Sequence, residues 1–354
     1  MRDPLQHSQQ PPPSDLPNAL TRYGQMVKAE LRAAVPADDA YLYRILRYHM
    51  GWIDEYGKPS NATEGKGLRP ALCFLACEAV GGLPEMATPA AAALELVHNF
   101  SLMHDDIQDR DRERHHRPTV WALWGEPQAL SAGNAMYALA RKTLLGLAER
   151  GVAPEQVLQA SMRLTQSSLE MIKGQYLDLE FEKRLDVTTD EYLDMTAFKT
   201  GALIACSLEL GALVGSGDPG LVSAVAEAGR YLGHLFQVRD DVLGVWGDVA
   251  ATGKTTGSDI MRKKKTFPVI HALQHATGME LTTLHNVYKK AAPSENDVQQ
   301  VLEVLEATGA RQEAEGLATR FGQQALEAIW IAELPPKYTR DFEDLVSFLL
   351  SRER

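Results

Sequence analysis

The spacing of apolar residues constrains the fold of this chain more than any other feature. From residue 19 onwards, apolar side chains recur every three or four positions, as in ALTRYGQMVKAELRAAV and PAAAALELVHNFSLMHDDI. That spacing lines one side of an α-helix, and we find no convincing alternating pattern of the kind that marks a half-buried strand. Several segments are rich in Ala and apolar on most faces, which is typical of central helices. The sequence predicts one large all-α helical bundle over residues 19–354.

Composition limits the class of protein further. The chain has 354 residues, of which 45% are hydrophobic, so a sizeable core is expected. Residues 1–18 are rich in Pro, Gln and Ser and are predicted to form a disordered tail. We expect no transmembrane segment, because no apolar run reaches spanning length and no signal-peptide core is evident. Three cysteines are an odd count, which favours a reducing, cytoplasmic location, and a net charge of -11 argues against nucleic-acid binding.

Two acidic pairs indicate a metal site. Asp105 and Asp109 lie four residues apart on one helical face, with Asp106 beside them, although like charges at that spacing repel by a few tenths of a kcal/mol. One such cluster is usually a solvated face. Here the cluster ends an apolar helix, and Asp240 and Asp241 follow a second apolar helix in the same manner. Two carboxylate pairs that face each other across a cleft suit Mg²⁺, which is held by a few carboxylates together with substrate phosphates.

Basic residues complement these acids. In GKGLRP, Lys66 and Arg69 lie three apart at a predicted helix start, where the helix dipole also favours an anion. Lys199, Lys254 and Lys264 are further cations beside Gly, Thr or Pro. Each alone is most simply a surface lysine. As a set interleaved with two acidic clusters, they predict two anion sites around one metal cluster.

At this point the ordered motifs carry a family resemblance. They are GKGLRP, HNFSLMHDDIQD with its DDxxD pattern, RHHRPT, GQYLDLEFE, KTGAL, FQVRDDVLGVWGD, GKTTGSDI and KKKTFP. The chain resembles the polyprenyl synthetase family, the all-trans isoprenyl diphosphate synthases, over nearly all its length after the tail. The resemblance implies a helical bundle around a deep central cavity, usually as a homodimer. It also implies that isopentenyl diphosphate condenses with an allylic diphosphate, using three Mg²⁺ ions.

The resemblance also implies a role for each motif residue. The residues expected to bind metal are Asp105, Asp106, Asp109, Asp240 and Asp241. Those expected at the allylic diphosphate site are Arg114, Asp178, Lys199, Lys254 and Lys264. Those expected to bind isopentenyl diphosphate are Lys66, Arg69, His98 and His115. Thr200 and Gln237 would stabilise the allylic cation, while the metals and lysines neutralise charge on the departing diphosphate and the chamber excludes water.

Two departures from the family pattern affect the site. His115 replaces the second Arg of a usual Arg-Arg pair, and because His offers fewer donors we expect weaker or pH-sensitive binding of isopentenyl diphosphate. Arg112 or Arg117 would compensate in part. Gly244 occupies the third acidic position of the second motif, which is therefore incomplete.

The residues before Asp105 bear on product length. Phe100 lies about 7.5 Å deeper along the helix, and Ser101 beside it is small. A lone Phe on an apolar helix is usually core, but its place in this motif predicts a stop for the growing chain. Similar members with this pattern and no insertion between the acids tend towards C20. We therefore expect geranylgeranyl diphosphate, with farnesyl diphosphate next and longer products after it.

Two functions of other classes compete with the synthase. A class I terpene cyclase shares the fold and the first acidic motif, but it needs an Asn/Asp-Ser/Thr-Glu metal motif that RDDVLGVWGD does not supply. A non-catalytic partner subunit of a prenyl synthase typically loses the acids, and here all of them are present. Both features favour the synthase.

Overall fold

Helices make up nearly all the regular structure of the computed structural model, which describes residues 17–38, 40–60, 67–247 and 257–352. The α-helices are α1 (Asn18–Thr21), α2 (Gly24–Ala34), α3 (Tyr41–His49), α4 (Leu68–Ala79), α5 (Thr88–Gln108), α6 (Val120–Trp124), α7 (Glu126–Leu144), α8 (Pro154–Phe181), α9 (Thr189–Thr196), α10 (Ala202–Gly215), α11 (Pro219–Trp246), α12 (Ser258–Met261), α13 (Phe267–His275), α14 (Gly278–Lys289), α15 (Glu295–Ala307), α16 (Ala310–Ile331) and α17 (Pro336–Ser351). The all-α prediction is confirmed.

A few short elements join these helices. They are the 3₁₀ turns Pro84–Ala87 and Leu145–Arg150, the π-helix Ala197–Gly201, and a hairpin of β1 (Glu113–Arg114) and β2 (Arg117–Pro118). Most of the predicted tail lies outside the described residues, as do Lys66 and Lys254.

Local sequence explains where the long helices begin. Pro89 and Pro154 lie in the first turns of α5 and α8, where the missing N–H costs nothing. The Asp218 carboxylate accepts a hydrogen bond of 3.0 Å from the N–H of Leu221 and caps α11. The helices that carry the acidic motifs therefore start at defined positions and run for several turns.

The centre of the bundle is formed by α5, α10 and α11. Helix α5 packs against α4 and α7, α10 against α4, α8 and α11, and α11 also against α16. The four alanines at 90–93 are fully buried, which lets the neighbouring helices approach α5 closely. A smaller apolar core joins the end of α11 to α12–α16. The Ala-rich segments are thus central helices, as their composition predicts.

One expectation about membranes needs correction. Within the described residues, the helical run Thr189–Gly215 is long and apolar enough to cross a membrane, although the sequence pattern was expected to contain no such run. It comprises α9, the π-helix and α10, and 78% of its apolar window is buried inside the bundle. The run owes its apolar character to its place in the core.

Candidate active site

The first acidic cluster lies at the C-terminal end of α5. Asp109 follows the last residue of α5, yet its N–H donates to the carbonyl oxygen of Asp105 at 2.8 Å, so the two acids remain on one turn. Asp106 is buried and accepts hydrogen bonds from Arg114, at 2.9 Å from Nε and 2.8 Å from Nη2. Burial raises the pKa of both Asp105 and Asp106 to about 6. This cluster therefore favours a cation strongly.

A hairpin brings Arg114 to that cluster. Its loop consists of His115 and His116, whose φ values of 51° and 59° follow the pattern of a type I′ turn. Arg117 fastens the hairpin to α3, because its Nη1 donates to the carbonyl oxygen of Tyr48 at 3.2 Å. Because this hydrogen bond holds its guanidinium, Arg117 is poorly placed to replace the arginine that is missing at position 115. His115 itself is exposed at the turn.

The π-helix Ala197–Gly201 presents Lys199 and Thr200 to the site. Single π-helical turns inside α-helices occur frequently at functional sites. A close approach to α8 holds this turn in place, since a Cβ on Gly174 would lie 2.1 Å from the backbone nitrogen of Lys199. Only glycine fits there without a backbone shift.

Two lysines pair with carboxylates in this region. Lys199 forms an ion pair with Asp178, and Nζ of Lys264 lies 3.5 Å from Oδ2 of Asp109. Burial lowers the pKa of Lys199, but Asp178 and Asp105 outweigh that effect and hold it above its usual value. Burial alone would raise the pKa of Asp178, but the charges of Lys199 and Lys264 outweigh burial and lower the pKa below its usual value. Lys199 and Asp178 are therefore ionised and neutralise each other.

The second acidic pair lies within α11, not after it as the sequence pattern led us to expect. The helix continues past Asp240 and Asp241 to Trp246. Asp240 pairs with Arg352 at the C-terminal end of the described chain, and the same guanidinium donates to the carbonyl oxygen of Phe236 at 3.0 Å. Sequence reasoning missed Arg352, since nothing local links it to α11.

Asp241 is buried at the centre of a hydrogen-bond chain. It accepts from the Tyr192 hydroxyl at 2.8 Å, the N–H of Phe267 at 2.9 Å and Nε2 of Gln237 at 2.9 Å. Oε1 of Gln237 in turn accepts from the Thr200 hydroxyl at 2.6 Å. Burial raises the pKa of Asp241 to about 7. The structure thus brings Thr200 and Gln237 together and links both to the second acidic pair.

A separate basic cluster surrounds the start of α4. Burial lowers the pKa of Arg69, whose Nε is buried with no acceptor among the described residues. Burial also lowers the pKa of His98, and the charges of Arg69 and Arg114 add to that effect. His49 of α3, which the sequence analysis did not single out, belongs to the same cluster, and burial lowers its pKa to about 3. The Glu95 carboxylate is close enough for its charge to raise the pKa of Arg69, and the charge of Arg69 lowers that of Glu95.

Phe100 and Ser101 occupy the part of α5 behind the acids. The Phe100 ring is buried, with its centroid 4.9 Å from the His104 ring and 5.2 Å from the Tyr137 ring. The Ser101 hydroxyl donates to the carbonyl oxygen of His98 at 2.8 Å. Two cavities of about 220 and 230 Å³ lie elsewhere and contain no predicted site residue, so the deep central cavity stays a prediction.

The donor chemistry of the acids fits Mg²⁺. Among the described residues, no three His, Cys, Asp or Glu side chains converge into a ready-made metal cage. Mg²⁺ does not need one, because it binds through one or two carboxylates, water and substrate phosphates. Carboxylates on α5 and α11, with Lys199 and Lys264 beside the acids Asp178 and Asp109, match that preference.

The fold and the site together define a helical-bundle enzyme for diphosphate substrates. The sequence pattern described as Polyprenyl synthetase matches residues 51–305, and the chain belongs to that family. A (2E,6E)-farnesyl diphosphate synthase of Mycobacterium tuberculosis is 39% identical over 93% of this chain and 91% of its own. A geranylgeranyl diphosphate synthase of the same organism is 38% identical over 90% of each chain. The chain is a short-chain trans-prenyltransferase. This assignment disfavours the two alternatives, a class I terpene cyclase and a non-catalytic partner subunit.

Solved structures agree with this assignment. The polyprenyl synthetase of Streptomyces coelicolor A3(2) has a TM-score of 0.87 and 37% identity, over 94% of this chain and 98% of its own. A geranylgeranyl pyrophosphate synthase from Corynebacterium glutamicum, complexed with isoprenyl diphosphate and magnesium, has a TM-score of 0.81 and 26% identity, over 96% of this chain and 100% of its own. Its contents support divalent-metal use in the family.

Proposed function

We propose that this enzyme condenses isopentenyl diphosphate with C5, C10 and C15 allylic diphosphates and releases mainly geranylgeranyl diphosphate. Farnesyl diphosphate is the second candidate product, because relatives of both kinds are almost equally similar. The observation that carries the proposal is the interlocked group of acids and lysines between α5, α8 and the π-helix.

The lysines are placed to exchange one anion for another. Lys199 and Lys264 contact the carboxylates of Asp178 and Asp109. A diphosphate offers oxygens of the same kind with a higher charge, so it competes for the same donors. Three Mg²⁺ ions, held by the acids at 105, 106, 109, 240 and 241, would supply positive charge that stabilises the departing diphosphate. Arg114 adds a further donor from the hairpin.

Thr200 and Gln237 are the proposed neighbours of the allylic cation. Gln237 is oriented by its own donation to Asp241, which leaves Oε1 directed towards Thr200. The Thr200 hydroxyl oxygen and this amide oxygen carry lone pairs that stabilise positive charge. Neither is a strong nucleophile at neutral pH. Arg69 and His98, in the basic cluster around the start of α4, are proposed to hold isopentenyl diphosphate.

Product analysis tests both the reaction and its length. The enzyme is incubated with Mg²⁺, isopentenyl diphosphate and each allylic primer in turn, and product lengths are measured by chromatography. We expect the C15 primer to be elongated once, to C20. Accumulation of C15 that is not elongated would establish the farnesyl candidate, and absence of any product would overturn the proposal.

Phe100 is the proposed floor of the product chain. Phe100→Ala should shift the products towards longer chains, because it removes a fixed aromatic ring behind Asp105. Phe74→Ala is the matched control, since Phe74 is also buried but stacks on Tyr23 in another part of the core. Both changes cost about 3–5 kcal/mol of stability. A profile that is unchanged in Phe100→Ala, or altered equally in both variants, would place the floor elsewhere.

An exposed apolar stripe on α8 supports the proposed homodimer. Its members are large apolar residues with 48–63% exposure on one helical face, namely Leu158, Met162, Leu169, Ile172 and Tyr176. A second copy of the chain would cover this stripe. Met162→Glu should therefore yield monomers in light scattering, whereas the control Met279→Glu, at an isolated exposed methionine of α14, should not. A wild-type monomer would refute the dimer.

The thiols bear on location. Cys73, Cys77 and Cys206 are free and buried, and burial raises the pKa of each. Unpaired thiols are usual in a reducing compartment, which supports the proposed cytoplasmic location. Fractionation of cells that express the full chain tests it, and recovery with membranes or outside the cell would contradict it.

A further inference from the structure

Three consecutive lysines at residues 263–265 extend from one loop, between α12 and α13, to three different places. Nζ of Lys264 lies 3.5 Å from Oδ2 of Asp109 in the candidate site. Nζ of Lys263 donates at 2.9 Å to the carbonyl oxygen of the residue that follows α14, and Nζ of Lys265 donates at 3.1 Å to that of the residue that follows α8. The two outer lysines therefore attach the loop to the ends of two helices, while the middle lysine reaches the site.

Lys265 is buried at the C-terminal end of α8, with 3% of its surface exposed. Besides the carbonyl oxygen of Glu182, its Nζ contacts that of Lys263 at 3.2 Å and lies 4.8 Å from the centre of the Tyr288 ring. Burial lowers the pKa of Lys265 to about 8, although the charge of Glu182 acts in the opposite direction. Free carbonyl oxygens and the dipole at a helix C-terminus favour a cation, which explains a lysine at this buried position.

The end of α8 that Lys265 holds also carries an acid of the site. Asp178 lies four residues before Glu182, about one helical turn away. Asp178 forms an ion pair with Lys199 and is close enough to Lys264 for their charges to interact. The contact between Lys265 and α8 therefore fixes the loop that carries one lysine of the site to the helix that carries an acid of the same site.

The backbone around Lys264 is irregular and depends on such supports. Lys263 has a φ of 58°, a left-handed conformation that is unfavourable for a residue with a side chain, and residues 264–266 lie in neither helix nor strand. The Tyr288 hydroxyl donates a long hydrogen bond of 3.5 Å to the carbonyl oxygen of Lys264, while the ring of this tyrosine faces the Lys265 ammonium group. Lys265 and Tyr288 thus both support the residue that reaches the site.

We propose that Lys265 is a positioning residue for the allylic diphosphate site: it fixes the loop to the end of α8 and thereby holds the Lys264 ammonium group beside Asp109. The inference rests on the proposed function, since it concerns how Lys264 is placed to bind that diphosphate. Lys265 acts through its neighbour and does not touch the substrate. A purely structural lysine would affect stability without favouring one substrate over the other, so the two roles can be separated.

Steady-state kinetics of Lys265→Met tests the proposal, with both Michaelis constants measured at saturating Mg²⁺ and folding verified by thermal melting. Methionine keeps most of the apolar stem and removes the ammonium group. We expect KM for the allylic primer to rise about tenfold, while KM for isopentenyl diphosphate changes less than about twofold. Lys263→Met is the matched control, because it removes the same charge from a less buried residue of the same loop, and it should leave both constants within about twofold of wild type.

A double variant tests whether Lys265 acts through Lys264. Lys264→Met is expected to raise the allylic KM by itself, so Lys265→Met should add little in that background, because the lysine that it positions is absent. Tyr288→Leu removes both the ring beside Lys265 and the hydroxyl beside Lys264. It should raise the allylic KM selectively but by less, and it decides the test if Lys265→Met does not fold.

An unchanged allylic KM in folded Lys265→Met would overturn the inference. Equal rises in both constants, the same rise in Lys263→Met, or a full additional effect of Lys265→Met in the Lys264→Met background would also overturn it. If Lys264→Met alone leaves the allylic KM unchanged, the proposed function fails at that residue and the inference fails with it. The two failures are therefore distinguishable.

Discussion

The two proposed substrate regions use charge in different ways. Between α5 and α8, Lys199 and Lys264 are paired with acids, so the positive charge is already balanced. Around α4, Arg69 and the neutral imidazole of His98 are opposed by fewer acids, with Glu95 as the main one acting on Arg69. If these regions bind the two substrates as proposed, the first would need additional cations before it held a diphosphate tightly, and the second would not.

The comparison predicts that removal of a first-region acid has the largest effect. Asp105→Ala should lower kcat by about 10²–10³-fold, because an electrostatic contribution to the transition state is lost. Steady-state rates at saturating Mg²⁺ measure it. Asp186→Ala, at a carboxylate that is 80% exposed, is the control and should leave kcat unchanged. Near-normal turnover in Asp105→Ala would show that catalysis does not depend on the acids of the first region.

Next in size is a crossed effect on the two Michaelis constants. Arg69→Met should raise KM for isopentenyl diphosphate about 10–100-fold, since it removes a charged donor, and should leave KM for the allylic primer nearly unchanged. Lys264→Met should do the reverse. Equal increases in both constants for either variant would mean that the two regions are not separate.

A smaller expected effect is the pH dependence of stability that arises from the buried acids Asp105, Asp106 and Asp241. The pKa values of Asp105 and Asp106 are about 6, and that of Asp241 is about 7. Between about pH 4 and 7 the folded chain therefore holds protons that the unfolded chain has released, and these groups lower stability as pH rises. Mg²⁺ with pyrophosphate needs the ionised acids, so its stabilisation should be greater at pH 8 than at pH 5.5. In a chain of 354 residues, a difference of roughly 1–2 °C in Tm corresponds to about 1 kcal/mol. Equal shifts at both pH values would contradict the role of these acids.

The smallest predicted effect tests whether residue 115 belongs to the second region. His115→Arg should lower KM for isopentenyl diphosphate a few-fold and reduce its change between pH 6 and 8, because a permanent charge replaces a titrating one. The effect is small because residue 115 is exposed at the hairpin turn. KM values that are unaltered across this pH range would show that residue 115 does not contact the substrate.

The sequence predicts most of the fold and part of the site. Helical periodicity identifies the helices because the apolar faces that build the core are local patterns. The shared turn of Asp105 and Asp109 follows from their four-residue spacing, and the structure contains it. The family resemblance assigns Thr200 and Gln237 to the same substrate, and the hydrogen bond between them is a finding of the structure. Asp240 and Asp241 were placed at a helix end because no local signal distinguishes a helix that continues through two acids from one that stops there.

The remaining site residues could not be predicted because their partners are distant in the chain. Arg352 and Asp240 are 112 residues apart, and Tyr192 and Asp241 are 49 apart. Asp259 of α12 lies beside Gly244 of α11, where an added Cβ would be 1.9 Å from its Oδ2, and no sequence pattern indicates this approach. These contacts depend on how α9, α11, α12 and the C-terminal residues pack, which single-sequence periodicity does not encode.

The π-helix Ala197–Gly201 has a consequence for protein engineering. It accommodates an additional residue relative to regular α-helical winding, so deleting Phe198 would let the run rewind as one uniform helix. The flanking helices would keep their register, because the wide turn absorbs the additional residue, but Lys199 and Thr200 would lose the backbone positions that the π-helix gives them. The far-ultraviolet spectrum would hardly change while turnover disappeared. The number of residues in this turn therefore matters as well as their identity, and a deletion cannot be compensated by substitutions nearby.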